Sequence, residues 1–106
     1  MVQETIEVLI ARKEVCYEKI TALEVELVEA NARVKNETAR YWLTTNWEDV
    51  IDTKITDKTK KAYVDAQVRP FVDKQETLTN EINSLYREVD IINDKMAYGV
   101  YDDRLE

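Results

Sequence analysis

The feature that most constrains this chain is a run of positions advancing by alternating threes and fours: Ile6, Leu9, Lys13, Cys16, Ile20, Leu23, Leu27, Ala30, Val34, Glu37 and Tyr41. A step averaging about 3.5 residues keeps one stripe turned toward a partner along a left-handed supercoil, whereas a strand alternates its faces every two residues. The run contains neither Gly nor Pro. It predicts a first helix from about Val2 to Leu43.

A second seam of the same rhythm follows in Val68, Phe71, Gln75, Leu78, Ile82, Leu85, Val89, Ile92 and Met96, with Tyr63, Val64 and Ala66 extending its apolar surface toward the middle of the chain. Pro70 lacks a backbone donor and its ring clashes with the carbonyl of Ala66 in a regular helix, so a kink or break is expected between Ala66 and Phe71. Gly99 comes directly after Met96-Ala97-Tyr98, where a glycine in the left-handed conformation closes a helix. Helix two is therefore expected over 57–98, leaving an acidic tail over 99–106 that frays or packs through Tyr101 and Leu105.

Between the seams the chain must turn, and the local chemistry of residues 44–56 suits that. Thr45-Asn46-Trp47-Glu48 has the Thr-x-x-Glu spacing of a capping box, which predicts a short helix from about Asn46 to Asp52. Thr56 or Asp57 is the candidate cap of helix two. Two helices of similar length on either side of such a turn match as arms of an antiparallel hairpin, each on the order of 60 Å long at 1.5 Å per residue. The fold expectation is all-α: residues 1–106 as a single helical-hairpin domain, coiled-coil-like, with a short helix in the turn.

Composition agrees with that reading. One Gly, one Pro and 35% charged residues leave too few turn formers for a sandwich or barrel. With 15 basic against 22 acidic side chains the net charge is −7, which disfavours general binding to nucleic acid or to an anionic membrane. No apolar run approaches the roughly 18 residues of a membrane span, and Met1-Val-Gln-Glu-Thr lacks the basic start of a signal peptide, so a cytoplasmic protein is expected. Cys16 is the only cysteine and lies on the seam, which suits an inert buried thiol. The sequon Asn36-Glu37-Thr38 is read as chance in a cytoplasmic chain.

The apolar surface exceeds what two helices need. Val8, Val15 and Ala22 lie one heptad apart beside the first seam, and Ile10, Tyr17, Val25 and Val28 broaden it further, while Glu14, Glu18, Glu24, Glu26 and Glu29 make a solvated face. A two-stranded seam buries two positions in seven and a bundle about three. A hairpin alone leaves Val8, Val15, Val25, Val28, Tyr86 and Ile91 partly exposed, so a homodimer forming a four-helix bundle is expected. Lys13, Glu37 and Gln75 occupy core-like positions where a polar side chain costs stability but selects register, which makes them candidate oligomer-specificity residues. A turn near residue 50 sets Lys13 opposite Arg87 and Glu88, and a Lys13 to Glu88 contact is expected.

Catalytic chemistry finds little to work with. The chain has no histidine, which removes the commonest general base and metal ligand. Neither Ser84 nor Cys16 has a positioned base in the pattern, Glu37 is the only seam carboxylate, and there is no glycine-rich phosphate loop. No enzymatic activity, metal or cofactor is expected.

Two groups of residues at the turn are candidate partner-binding sites. Tyr41, Trp42, Trp47 and Tyr63 gather both tryptophans at one end of the hairpin, as a core plug or, through Trp42 and Trp47, as an exposed anchor for another protein. Lys54, Lys58, Lys60 and Lys61, with Arg40 across the turn, form a basic cluster diluted by Asp49, Asp52 and Asp57. The leading functional expectation is a non-enzymatic interaction or assembly module with an unknown protein partner. An acidic inhibitor that mimics nucleic acid in the groove of a nuclease or recombination protein is the alternative, motivated by the net charge of −7. A third is a single-stranded nucleic-acid accessory factor, with Trp47 stacking on bases and the lysines holding phosphates.

At Trp47-Glu-Asp-Val50, Thr59-Lys-Lys-Ala-Tyr-Val64 and Ile91-Ile-Asn-Asp-Lys95 the chain resembles small helical proteins encoded in phage and prophage genomes, over roughly residues 41–96. The resemblance implies a helical hairpin without an established activity. It directs attention to a phage accessory or host-interaction role.

Overall fold

A computed structural model gives the backbone of residues 5–105 and the side chains of residues 5–98. The elements are α1 (Ile6–Thr44), α2 (Trp47–Val50) and α3 (Asp57–Leu105), and the two long helices pack against each other through the turn that holds α2. Among the described residues there is no strand. The chain is a helical hairpin.

Both ends of α1 and the start of α3 carry side-chain hydrogen bonds to orphan backbone groups. Thr5 caps α1: the Val8 N–H donates to its Oγ1 at 3.3 Å. The expected start at about Val2 lies outside the described residues. At the other end the Thr45 hydroxyl donates back to the carbonyl of Tyr41 and the Thr44 hydroxyl to that of Arg40 at 2.7 Å. The capping box expected at Thr45 and Glu48 is therefore not formed. Asn46 stands at the N-cap of α2 in extended conformation, without a side-chain cap. Thr45 follows the last turn of α1, and its hydroxyl joins its own N–H, at 3.2 Å, on the carbonyl of Tyr41.

The second cap does form, and it is reciprocal. The Thr59 N–H donates to Thr56 Oγ1 at 3.2 Å, and the Thr56 N–H donates to Thr59 Oγ1 at 2.9 Å. This is the geometry of a capping box with threonine in place of the usual Glu or Gln. Thr56, not Asp57, is the cap.

Two expectations about α3 are corrected, a break near Pro70 and an end near Tyr98. The helix is continuous through Pro70. Pro70 and Ala66 are both exposed, so the carbonyl deprived of its donor faces water instead of the seam, which lowers the cost of an interior proline. The helix also runs through Gly99 to Leu105, and no glycine has positive φ. A helical glycine costs only about 1 kcal/mol relative to alanine, and no proline follows to stop the helix. Packing by Tyr101 and Leu105 lies outside the described side chains.

The hairpin divides into two compact units, Met1–Val25 with Thr79–Glu106, and Glu26–Leu78. In the first, Leu9, Cys16 and Ile20 of α1 are buried with Ile82, Val89 and Ile92 of α3. In the second, Ala30 is buried with Val64, Val68 and Leu78. Every one of these residues except Val64 belongs to a seam read from the sequence, and the remaining seam positions are half-buried apart from Ile6, which is exposed.

Candidate functional site

The turn positions the aromatic group. The Trp42 and Trp47 rings meet edge to face with centroids 5.4 Å apart, and Trp47 meets Tyr63 in the same manner at 6.1 Å. The Lys60 ammonium lies over the Trp47 ring at 5.5 Å, a cation–π arrangement. Trp47 is thus the hub of the cluster and is half-buried, while Trp42 sits at its rim, 37% exposed. Leu43 beside it is 84% exposed.

Of the basic residues, Lys60 is the one shown against this hub. Lys54, Lys58 and Lys61 are exposed, whereas Lys60 is half-buried against Trp47. Arg40 is engaged on its own helix: its guanidinium is 2.7 Å from the Glu37 carboxylate and 4.6 Å from the centre of the Tyr41 ring. The Glu37 hydrogen bond and charge push the Arg40 guanidinium further above its ordinary range. Glu37 is half-buried at its seam position and accepts from Arg40.

The other two seam polars take different routes. The Gln75 side-chain amide donates to the Asn31 side-chain oxygen across the hairpin. The Lys13 ammonium lies 6.0 Å from the centre of the Tyr17 ring. Glu88 is met by Arg12 at 3.5 Å instead of by Lys13. The reason is helical phase: Arg12 flanks the seam on the side of Glu88, whereas Lys13, within it, sends its stem along the helix to reach solvent.

Several relationships escape the sequence pattern. Tyr86 donates to Glu24 at 3.1 Å, and this bond, with the carboxylate charge, raises its phenol above the ordinary value. The Arg33 guanidinium lies 5.0 Å from the centre of the Phe71 ring. Only the spacing of Arg69 and Asp73, paired at 2.7 Å one turn apart, was open to a reading from sequence. The rest join residues that only the pairing of α1 with α3 brings together.

Within the first unit a groove of about 480 Å³ opens between α1 and α3, lined by Lys19, Ala22, Leu23, Glu81, Ser84 and Leu85. Its apolar floor carries one cation and one carboxylate. Cys16 is buried, at 3% exposure, and burial first, then the neighbouring Glu88, pushes its thiol above the ordinary value. Among the described residues no group of three or more Cys, Asp or Glu is placed to hold a metal ion. No helix in that range is long and apolar enough to cross a membrane.

Comparison with protein-family models, with curated proteins and with solved structures gave no match. The fold and the turn define a class: a two-helix hairpin with an aromatic hub at its turn and apolar side chains left on its outer faces.

Proposed function

We propose that the protein is a non-enzymatic interaction and assembly module that works as a homodimer. One observation carries this reading: the seams are consumed within the hairpin, yet Val8, Val15, Val25, Val28, Tyr86 and Ile91 remain 44–68% exposed. Apolar surface of that extent on a long helical pair is stabilised by covering it, and a second hairpin is the simplest cover. The Trp42 rim of the turn, with Leu43, is then left for a different protein. A cytoplasmic setting belongs to the same reading and rests on the sequence alone. A phage accessory or host-interaction role rests on the sequence resemblance.

The single-stranded nucleic-acid reading draws little support from the turn, because Trp47 meets both neighbouring rings and Lys60 already occupies one of its faces. Absolute mass across a dilution series, by sedimentation equilibrium, tests the main proposal. A mass near twice 12.5 kDa is expected. A monomer at every concentration would overturn self-assembly.

A further inference from the structure

The groove of the first unit continues as a face. Lys19, Ala22 and Leu23 of α1 line the groove together with Glu81, Ser84 and Leu85 of α3. One heptad further from the turn, Val15 takes the position of Ala22 and Ile91 that of Ser84, and a second heptad brings Val8 and Tyr98. All of these residues lie within Met1–Val25 and Thr79–Glu106, the first compact unit. Val8, Val15, Ile91 and Tyr98 are 46–71% exposed. The face therefore carries two apolar ridges, one on each helix.

Charge is sorted between the ridges. Lys19 borders the groove on α1 and Glu81 borders it on α3. Both are exposed, and neither is in an ion pair among the described residues. One heptad away Arg12 and Glu88 repeat the order, cation on α1 and carboxylate on α3, and they are already paired with each other at 3.5 Å. At these two levels the face is basic along α1 and acidic along α3.

We infer that a second copy of this chain covers this face, related by a two-fold axis running lengthwise along the first unit, so that α1 of each copy lies on α3 of the other. The inference rests on the self-assembly proposed above and adds the face and the direction of the axis. A lengthwise axis leaves no freedom to slide, because equivalent residues stay level. Val15 meets Ile91 of the second copy, Val8 meets Tyr98, and Ala22 meets Ser84. At the groove each Lys19 meets Glu81 of the other copy, which closes a ring where every charge lies between two opposite ones. The short side chains of Ala22 and Ser84 let the copies approach there, and the stems of Lys19 and Glu81 cover Leu23 and Leu85.

The sorting of charge selects this axis over a crosswise one. A crosswise axis lays α1 on α1, and it puts Lys19 on Arg12, Lys19 on Lys19 or Arg12 on Arg12, according to whether Val15 meets Val15, Ala22 or Val8. Like charges set against each other across an interface suppress that arrangement. The ring of Lys19 and Glu81 adds little net stability once desolvated, but it fixes which helix lies on which. Lys95, a further heptad along α3, comes level with the uncharged Thr5 and opposes nothing.

Two measurements on the full chain test this. In a Cys16→Ala background, one population carries Val15→Cys and a second, differently tagged, carries Ile91→Cys; after mixing and mild oxidation, the disulfide joining the two populations is expected as the main product. A disulfide formed chiefly within the Val15→Cys population means α1 on α1, and a dimer that forms neither means another surface; each overturns the inference. The chain with its native Cys16 gives an independent reading by sedimentation equilibrium. Lys19→Glu and Glu81→Lys each weaken self-association roughly tenfold, and an equimolar mixture of the two regains the native affinity as a heterodimer. Self-association that Lys19→Glu strengthens or leaves unchanged overturns the inference even if the cysteine variants fold poorly. A native chain that stays monomeric, with the groove free for a partner of different sequence, overturns both this inference and the self-assembly on which it rests, whereas a native dimer with the wrong cross-links or charge response overturns this one alone.

Discussion

The side-chain amide of Gln75 on α3 donates to the side-chain oxygen of Asn31 on α1, a polar clasp in a seam that continues with Phe71 on one side and Leu78 on the other. Such a pair forms only when the two helices are in one register, so it penalises slippage more than it adds stability. Gln75→Leu is expected to raise stability by about 1 kcal/mol, since Asn31 is exposed and keeps water as a partner. Thermal unfolding followed by circular dichroism at fixed protein concentration measures it. A fall in Tm would show that the bond contributes more than the half-buried amide costs.

The reciprocal threonine cap at the start of α3 is open to a double-mutant cycle. Thr56→Ala removes the acceptor of the Thr59 N–H and should cost about 1 kcal/mol. Thr59→Ala should cost a similar amount, because its Oγ1 accepts from the Thr56 N–H. The double variant is expected to lose less than the sum, as the two hydroxyls act together. Glu48→Ala, which the sequence pattern alone would have made a cap mutation, should change urea unfolding by less than about 0.5 kcal/mol.

Pro70 sits in an unbroken helix with Ala66 exposed one turn before it. Pro70→Ala returns a backbone donor to the Ala66 carbonyl and should stabilise the protein by about 1 to 3 kcal/mol, the upper figure being the interior penalty of proline. A destabilised variant would indicate that the ring's restriction of the unfolded chain outweighs the recovered hydrogen bond.

Cys16 gives a prediction in reactivity and one in pH. Its burial predicts alkylation by iodoacetamide at pH 8 that is slow in the native protein and fast in denaturant. Because burial raises its thiol above 9.0, the folded state keeps this proton to higher pH than the unfolded chain does. The stability it contributes is complete below that value and falls as pH rises beyond it. Tyr86, raised above 10.0, acts in the same direction. Denaturant unfolding at a series of pH values above 9 should therefore show a shallower decline for Cys16→Ala than for the native chain, and equal slopes would contradict the assignment.

The seams were legible because their residues report on themselves: Ile20, Val89 and Ile92 are at or below 3% exposure, where a 3.5-residue rhythm puts them. The turn was legible in part. Thr-x-x-Glu at Thr45 had the spacing of a cap, but the hydroxyl donates to the carbonyl of Tyr41 instead. Thr-x-x-Thr at Thr56 lacked the usual acid and capped all the same. Spacing states which groups are available to each other, while geometry states which pair forms. The candidate site divides in the same way, for the sequence placed both tryptophans at the turn, but only the structure made Trp47 the hub and Trp42 the rim.

By itself the sequence determined the two helices, the stripe each buries and the apolar surplus left over, because periodicity along one helix is a local property that needs no partner. The tertiary structure decided that Arg12 and not Lys13 meets Glu88, that Gln75 finds Asn31, and that Lys60 covers Trp47. Each of those contacts depends on how two helices are set against each other within a fraction of a turn. Heptad spacing leaves that setting open until the side chains of both are packed.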